Sequence, residues 1–401
     1  MENFGEKLDK PNSEVNKPET IKQETMVPSL ENPNEEKERE YRQYERDLVI
    51  NNPEFVGINF DQDYIIDSRN FWSQEQWLQH IKEKDGEIPE KTQSLIESGE
   101  TEKIISEKKE SELRKKIDFD KYLSSFERKL KYARIHPAGE SSPIAPSQAL
   151  EVKPDGSFEV KIAPEFIEQI KKIQEQSEDL TIVVPFYDHR RGEEKASNVP
   201  ETEDQVKQYI AICEKIIEDV GNDIQLEIGN ETNISRFTGA MFADKLQHAS
   251  HVDSAEYGKF FYEVAKQLKE KNPNVKLSMA GIACFDPTYL REVLTELKRM
   301  QSENGVNTSI VDTVSFHPYR EKPERGSVDV KNGQFTISDL DYEGQMEEML
   351  KIGKEFGVKV TIGEINFPFS DSEQKIKLEQ SISLTAKRDI PSLIYPGVNV
   401  H

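Results

Sequence analysis

Eight short apolar runs, each trailed by a longer amphipathic stretch, leave this chain few architectures to choose from. The runs are FVGINF (55 to 60), LKYARIH (130 to 136), LTIVVPFY (180 to 187), IQLEIGN (224 to 230), VKLSMAGI (275 to 282), VDTVSFH (311 to 317), VKVTIGEI (358 to 365) and SLIY (392 to 395). Between them the period changes. In 255 to 271, Tyr257, Phe261, Val264 and Leu268 recur at three- or four-residue steps and make one apolar face, which Asn272 and Pro273 bring to an end. Strand and helix in alternation build a parallel sheet. Eight repeats predict that the sheet closes, giving an α/β fold of the (β/α)₈ barrel type rather than an open sheet.

Two stretches depart from an ideal barrel, and a third precedes it. Residues 1 to 47 are dominated by Glu, Lys, Asn, Pro and Gln with isolated apolar residues, too few to offset the entropy of ordering, so this leader is expected to be disordered and the barrel to occupy 48 to 401. Its end, 35 to 47, is a charged run that fits a solvated helix entering the domain. From about 87 to 116 the chain is so rich in Glu, Lys and Ser that it reads as a helical insertion ahead of the first barrel helix near 119 to 129. At the other end the chain stops at His401, a few residues past the eighth run, so the eighth helix is expected to be missing or truncated.

Charge narrows the partners. With 53 basic against 76 acidic residues and a net charge of −23, neither nucleic acid nor an anionic membrane surface is expected to bind. No apolar run reaches the roughly 18 residues of a membrane span, and the first residues lack the layout of a signal peptide. The expected location is the cytoplasm. The two cysteines, Cys213 and Cys284, sit in apolar segments and read as buried free thiols. A neutral ligand such as a sugar suits this balance best, and the sequence leaves the oligomeric state open.

In a parallel barrel the C-terminal ends of the strands carry the active face. Period-two geometry on the fourth run sets Ile224, Leu226 and Ile228 on one face and Gln225, Glu227, Gly229 and Glu231 on the other, so Glu231 emerges at the mouth on the inner side. The seventh run delivers Glu364 at its own exit, directly after a glycine. Two carboxylates from those opposite walls can approach to roughly 5 Å, a separation at which one attacks an anomeric carbon while the other protonates the leaving oxygen. Arg134 has two readings, as support for Glu364 or as a buried partner for Glu227, whose parity also points inward. His317 reads equally as a substrate ligand or a satisfied core histidine. The pair His248 and His251 invites a metal, yet no third ligand lies near in sequence, and no metal or other cofactor is expected. Asp188 and His189, in the run 188 to 195, could reach a sugar from a loop, and Phe237, Phe242, Phe285 and Phe367 could stack on one or pack the loops.

Taken together, IGNETN (228 to 233), SFHPYR (315 to 320) and TIGEINFP (361 to 368), in that order on the fourth, sixth and seventh strands, resemble the clan A retaining glycoside hydrolases, with members similar to families 39 and 5. The resemblance covers about 54 to 370. It implies Glu231 as acid/base, Glu364 as nucleophile, Asn230 on the sugar 2-hydroxyl, Arg134 and Tyr319 in support of the nucleophile, and His317 as the site histidine. The substrate it implies is an oligosaccharide or glycoside. Where members place a Trp at the end of the eighth strand this chain offers Tyr395. The physics runs alongside: a cation such as Arg134 would hold Glu364 ionised, while the neighbouring carboxylate would keep a proton on Glu231. A barrel that binds carbohydrate without turning it over is the competing reading. An aldolase or a phosphate-binding isomerase fits less well, because no Lys stands at an obvious strand exit and no Gly-rich loop follows strands seven and eight.

Overall fold

A computed structural model describes residues 43–61, 119–126, 128–137, 142–185, 199–200, 202–233, 253–318, 328–331, 334–337, 340–365 and 372–394. Eight parallel strands close a barrel: β1 (Val56–Asp61), β2 (Leu130–His136), β3 (Ser177–Val184), β4 (Gln225–Asn230), β5 (Lys276–Ala283), β6 (Thr313–His317), β7 (Lys359–Ile365) and β8 (Ser392–Ile394). Each strand lies beside the next in sequence, and β8 returns to β1 through the pairs Val56 with Ser392 and Ile58 with Ile394. The helices α1 (Phe119–Ser124), α2 (Pro164–Glu175), α3 (Glu203–Val220), α4 (Ser254–Lys271), α5 (Pro287–Glu303), α6 (Tyr342–Phe356) and α7 (Ser372–Ala386) fill the seven connections. The described residues end with β8 at Ile394. The insertion expected at 87 to 116 lies outside them. No described helix is long and apolar enough to cross a membrane.

The helices form where the sequence caps them. Asp253 accepts from the backbone N–H groups of Ala255 and Glu256 at the start of α4, and Lys269 and Lys271 face the negative end of its dipole. Thr202 and Gln205 make a reciprocal capping box on α3. Gly357, at φ +71, ends α6 in the left-handed region that disfavours a side chain. On α4 the predicted face of Tyr257, Phe261, Val264 and Leu268 is wholly buried, each residue contributing about 1.5–3 kcal/mol by leaving water.

Alternation along the strands sorts the barrel into two zones. Ile58, Phe60, Ala133, Ile135, Ile182, Val184, Leu226, Ile228, Val314, Phe316 and Ile362 join the helix faces in one apolar core. Many of the intervening side chains are polar and meet across the interior: Gln225 of β4 donates to Thr181 of β3 (3.1 Å) and accepts from Thr313 of β6 (2.8 Å). Cys213 and Cys284 are buried free thiols, as expected. Residues 43 to 51 are helical, and their Leu48 and Val49 enter the core.

Three local differences have physical causes. β3 begins at Ser177 rather than 180, because Leu130 of β2 pairs with Ser177 and draws the polar Ser-Glu-Asp stretch into the ladder. α1 stops at Ser124 rather than near 129, where the hydroxyls of Ser124 and Ser125 donate to the carbonyls of Asp120 and Tyr122 and compete with the helix. A small hairpin, Leu150–Val152 with Phe158–Val160, stands apart from the barrel; its turn carries Asp155 and Gly156, the latter at φ +83.

Candidate active site

At the mouth, the polar residues of three strands converge on Arg134 of β2. This side chain is completely buried on β2 and spends its donors across the barrel. Its Nε and Nη2 donate to the two carboxylate oxygens of Glu227 on β4 (3.1 and 2.7 Å), Nη2 also to Asn230 Oδ1 (2.9 Å), and Nη1 to Glu364 Oε1 on β7 (2.7 Å). Asn59 on β1 stands directly beside it in the ladder. With its amide oxygen turned to the guanidinium, Asn59 accepts from Nη1 (2.8 Å) and donates to the Arg134 carbonyl (3.2 Å). Both readings of Arg134 therefore hold at once: one guanidinium pairs Glu227 and supports Glu364. Burial works against its charge, but the carboxylates of Glu227 and Glu364 outweigh that and hold the proton firmly.

Glu364 meets two histidines as well. His136 Nδ1 lies 3.1 Å from its Oε1, and His317 Nδ1 lies 3.6 Å from its Oε2. Burial alone would raise the Glu364 carboxyl; the charges of His317 and Arg134, helped by His136, reverse that and hold it well below the ordinary carboxylate range. This agrees with the expectation of a carboxylate that stays ionised.

Glu231 is delivered by a break in strand geometry. Gly229 at φ +84 and Glu231 itself at φ +49 turn the chain out of the ladder at the end of β4. Left-handed backbone at a non-glycine residue costs on the order of 1–3 kcal/mol. The turn is held by a hydrogen bond from Glu231 N–H to the Gly281 carbonyl (2.8 Å). The rest of the IGNETN motif secures it: Thr232 accepts from the Tyr289 hydroxyl (3.1 Å), and Asn233 donates to the Ala283 carbonyl (3.0 Å) and accepts from Ala283 N–H (2.8 Å). Glu231 Oε1 then sits 2.9 Å from His317 Nδ1, which leaves that ring nitrogen between two carboxylates.

Gly281 of β5 organises both sides of the site. Its N–H donates to Glu227 Oε1 (3.0 Å) while its carbonyl holds Glu231. A Cβ there would stand 2.2 Å from His317 Nε2, so only glycine lets the imidazole take its place. Gly363 plays the same part before Glu364, where a Cβ would meet Ser315 Oγ at 2.2 Å. Gly281→Ala is therefore expected to push His317 from between the carboxylates and to cost about 1–3 kcal/mol through overpacking. A urea midpoint that stays at the wild-type value would show that the ring has room to retreat.

Glu231, His317 and Glu364 each bring one oxygen or nitrogen to within 4.8 Å of the others. Such a triangle is small enough for a metal ion, but the Arg134 guanidinium 2.7 Å from Glu364 sets a fixed positive charge against one. Of the residues singled out in the sequence, Glu231, Glu364, Asn230, Arg134 and His317 come together here. Tyr319 lies outside the described residues, as do Tyr395, Asp188, His189, His248, His251, Phe237, Phe242 and Phe367. Phe285 packs in the core. Sequence reasoning passed over His136, Asn59 and Gly281. His136 was within its reach, since the period of two that turns Arg134 inward also turns inward the residue two places on.

No known protein-family profile and no curated protein sequence matches the chain. Among solved structures it is similar to the endo-1,4-β-D-mannanase from Thermotoga petrophila, at 13% identity and a TM-score of 0.46 over 85% of this chain and 87% of that one. It is similar to a family 5 broad-specificity endoglucanase from Clostridium longisporum, at 13% identity and a TM-score of 0.42 over 66% and 72%. A family 44 endoglucanase from Clostridium thermocellum gives 13% identity and a TM-score of 0.39 over 58% of this chain, which spans 60% of that enzyme.

Proposed function

We infer that this chain is a glycoside hydrolase that cleaves a β-glycosidic bond with net retention, through a covalent glycosyl intermediate. The observation that carries the reading is the approach of Glu231 and Glu364: a ligand oxygen from each lies within 4.8 Å of the other, across the mouth of one barrel. Retaining enzymes hold their carboxylates about 5–5.5 Å apart so that one can bond to the sugar, whereas inverting enzymes leave about 6.5–9.5 Å for a water. An approach of single oxygens this close favours the first, since it leaves little room for an intervening water.

The two environments supply the division of labour. Glu364, held ionised by His317, Arg134 and His136, is the electron-pair donor. Glu231, standing outside the guanidinium cluster, is the proton carrier. In the first step Glu364 attacks the anomeric carbon, the glycosidic C–O bond breaks, and Glu231 gives its proton to the departing oxygen. In the second, Glu231 takes a proton from water as the water displaces Glu364. Asn230, its Oδ1 turned to Arg134, shares that guanidinium with Glu364, which supports the contact with the sugar 2-hydroxyl that the resemblance implies.

Incubation with a panel of 2-deoxy-2-fluoro β-glycosides, followed by intact mass and peptide mapping, tests the reading. The expected result is one adduct, on Glu364. Hydrolysis of an ordinary β-glycoside to the α-anomer, followed by NMR, would overturn retention. Binding of sugars with no adduct and no turnover across the panel would favour the binding protein instead.

A further inference from the structure

Attack by Glu364 uses one of its two oxygens, and the site treats them differently. The geometry points to Oε2 as the atom that attacks and to His136 as the positioning residue that commits Oε1 elsewhere; this rests on the retaining reaction proposed above. Arg134 Nη1 and His136 Nδ1 stand 2.7 and 3.1 Å from the same atom, Oε1. Oε2 is turned toward the Glu231 side of the mouth, where the nearer imidazole, His317, stands 3.6 Å from it and sits closer to Glu231 Oε1, at 2.9 Å.

Arg134 alone does not fix this orientation. Its other donors are engaged by Glu227 and Asn230, and Nη1 itself also meets Asn59, so Glu364 receives one contact from a group anchored elsewhere. A carboxylate held at one point can rotate about its terminal bond, which is broad and soft. His136 adds a second point from the same strand, two residues on, and is itself buried. An oxygen that accepts from Arg134 and lies 3.1 Å from the His136 imidazole is the poorer nucleophile, because attack through it would disrupt both contacts.

The chemistry balances on this assignment. Oε2 forms the bond to the anomeric carbon, the bond from that carbon to the leaving oxygen breaks with its electron pair, and Glu231 protonates that oxygen. Oε1 becomes the carbonyl oxygen of the glycosyl ester and keeps its two partners. Water then attacks the carbon and gives a proton to Glu231, and Oε2 departs with the electron pair of the ester bond. His136 thus orients the carboxylate before attack and stays on the carbonyl after it, without touching the sugar.

The test uses the full chain as wild type, His136→Ala and His136→Asn, the last because the Asn amide N–H₂ occupies the place of Nδ1. Labelling of Glu364 by 2,4-dinitrophenyl 2-deoxy-2-fluoro-β-glucoside and the corresponding β-mannoside reads the first step. Carboxyl carbon NMR, with the Glu364 signal identified by its loss in Glu364→Gln, reads the carboxylate directly and needs no turnover. His136→Ala is expected to slow labelling roughly 10-fold, the size of one hydrogen bond to a charged group, and to move the Glu364 titration upward. His136→Asn is expected to recover most of the labelling rate. Wild-type labelling with an unmoved titration in His136→Ala, or with a rate within about twofold of wild type, overturns the role of His136. Failure of the wild type to label with these probes and with every other glycoside of the panel instead overturns the retaining reaction, and the NMR titration still decides whether His136 holds Oε1.

Discussion

Arg134→Met is expected to lower the free energy of unfolding by roughly 3–5 kcal/mol, the cost of leaving a buried charge without its partner. Met fills the volume of the arginine stem, so the loss measures charge rather than a cavity. Glu227 and Glu364 would both lose the guanidinium that they share, deep in a barrel whose interior excludes water from them. Urea unfolding near neutral pH measures the effect. Adding Glu227→Gln to Arg134→Met removes one of the stranded carboxylates and is expected to restore part of the loss, a coupling that two independent sites would not show. The pH dependence follows from Glu364. Its carboxyl in the folded chain lies below its ordinary value of 4.5, so the stability it contributes is present in full above that value and is lost as the pH falls through the lower, folded one. In Arg134→Met the folded carboxyl rises back toward its unfolded value, so that acid-side decline should shrink, and reverse where burial outweighs the imidazoles that remain. A variant within about 1 kcal/mol of wild type, with the same acid profile, would mean that the cluster is solvated and that the guanidinium does not carry it.

The barrel was legible because its evidence repeats. Eight runs with the same period-two sorting gave strands that the structure places within a few residues of where the sequence puts them, LKYARIH to the residue. Boundaries failed where a local hydrogen bond or a ladder partner outweighed apolar pattern, as at Ser177 and at Ser124. The site was half legible. Parity sends Arg134 and Glu227 inward and chemistry singles out Glu364 at a strand exit, whereas Asn230 and Glu231 reach the site through a left-handed turn that parity does not give. What parity cannot give is register: that Asn59 stands beside Arg134, or that Gly281 faces His317 so closely that a methyl group would strike it, depends on how far each strand slides past its neighbour. A glycine leaves no chemical signature of what its missing side chain makes room for. His136 differs, since its inward parity was readable and its ring is ordinary site chemistry.

Removing the proposed nucleophile should have the largest effect on turnover. Glu364→Gly is expected to reduce kcat by roughly 10⁴-fold or more, in line with the loss of an attacking group from other covalent mechanisms. The fold should survive, because Arg134 keeps its two bonds to Glu227 and its bond to Asn230. The gap left behind gives the sharper measurement. A small anion such as azide can enter it and attack an activated β-glycoside from the face where Glu364 stood, so Glu364→Gly with azide should release an α-glycosyl azide. In Glu231→Ala, Glu364 still forms the ester when the leaving group needs no proton, and azide then displaces it to give a β-glycosyl azide. The two products have opposite configuration because the two carboxylates flank the anomeric carbon from opposite sides, and their anomeric proton couplings tell them apart. If the configurations were exchanged, Glu231 would be the nucleophile, and the positive partners gathered on Glu364 would serve to hold the charge of a spectator.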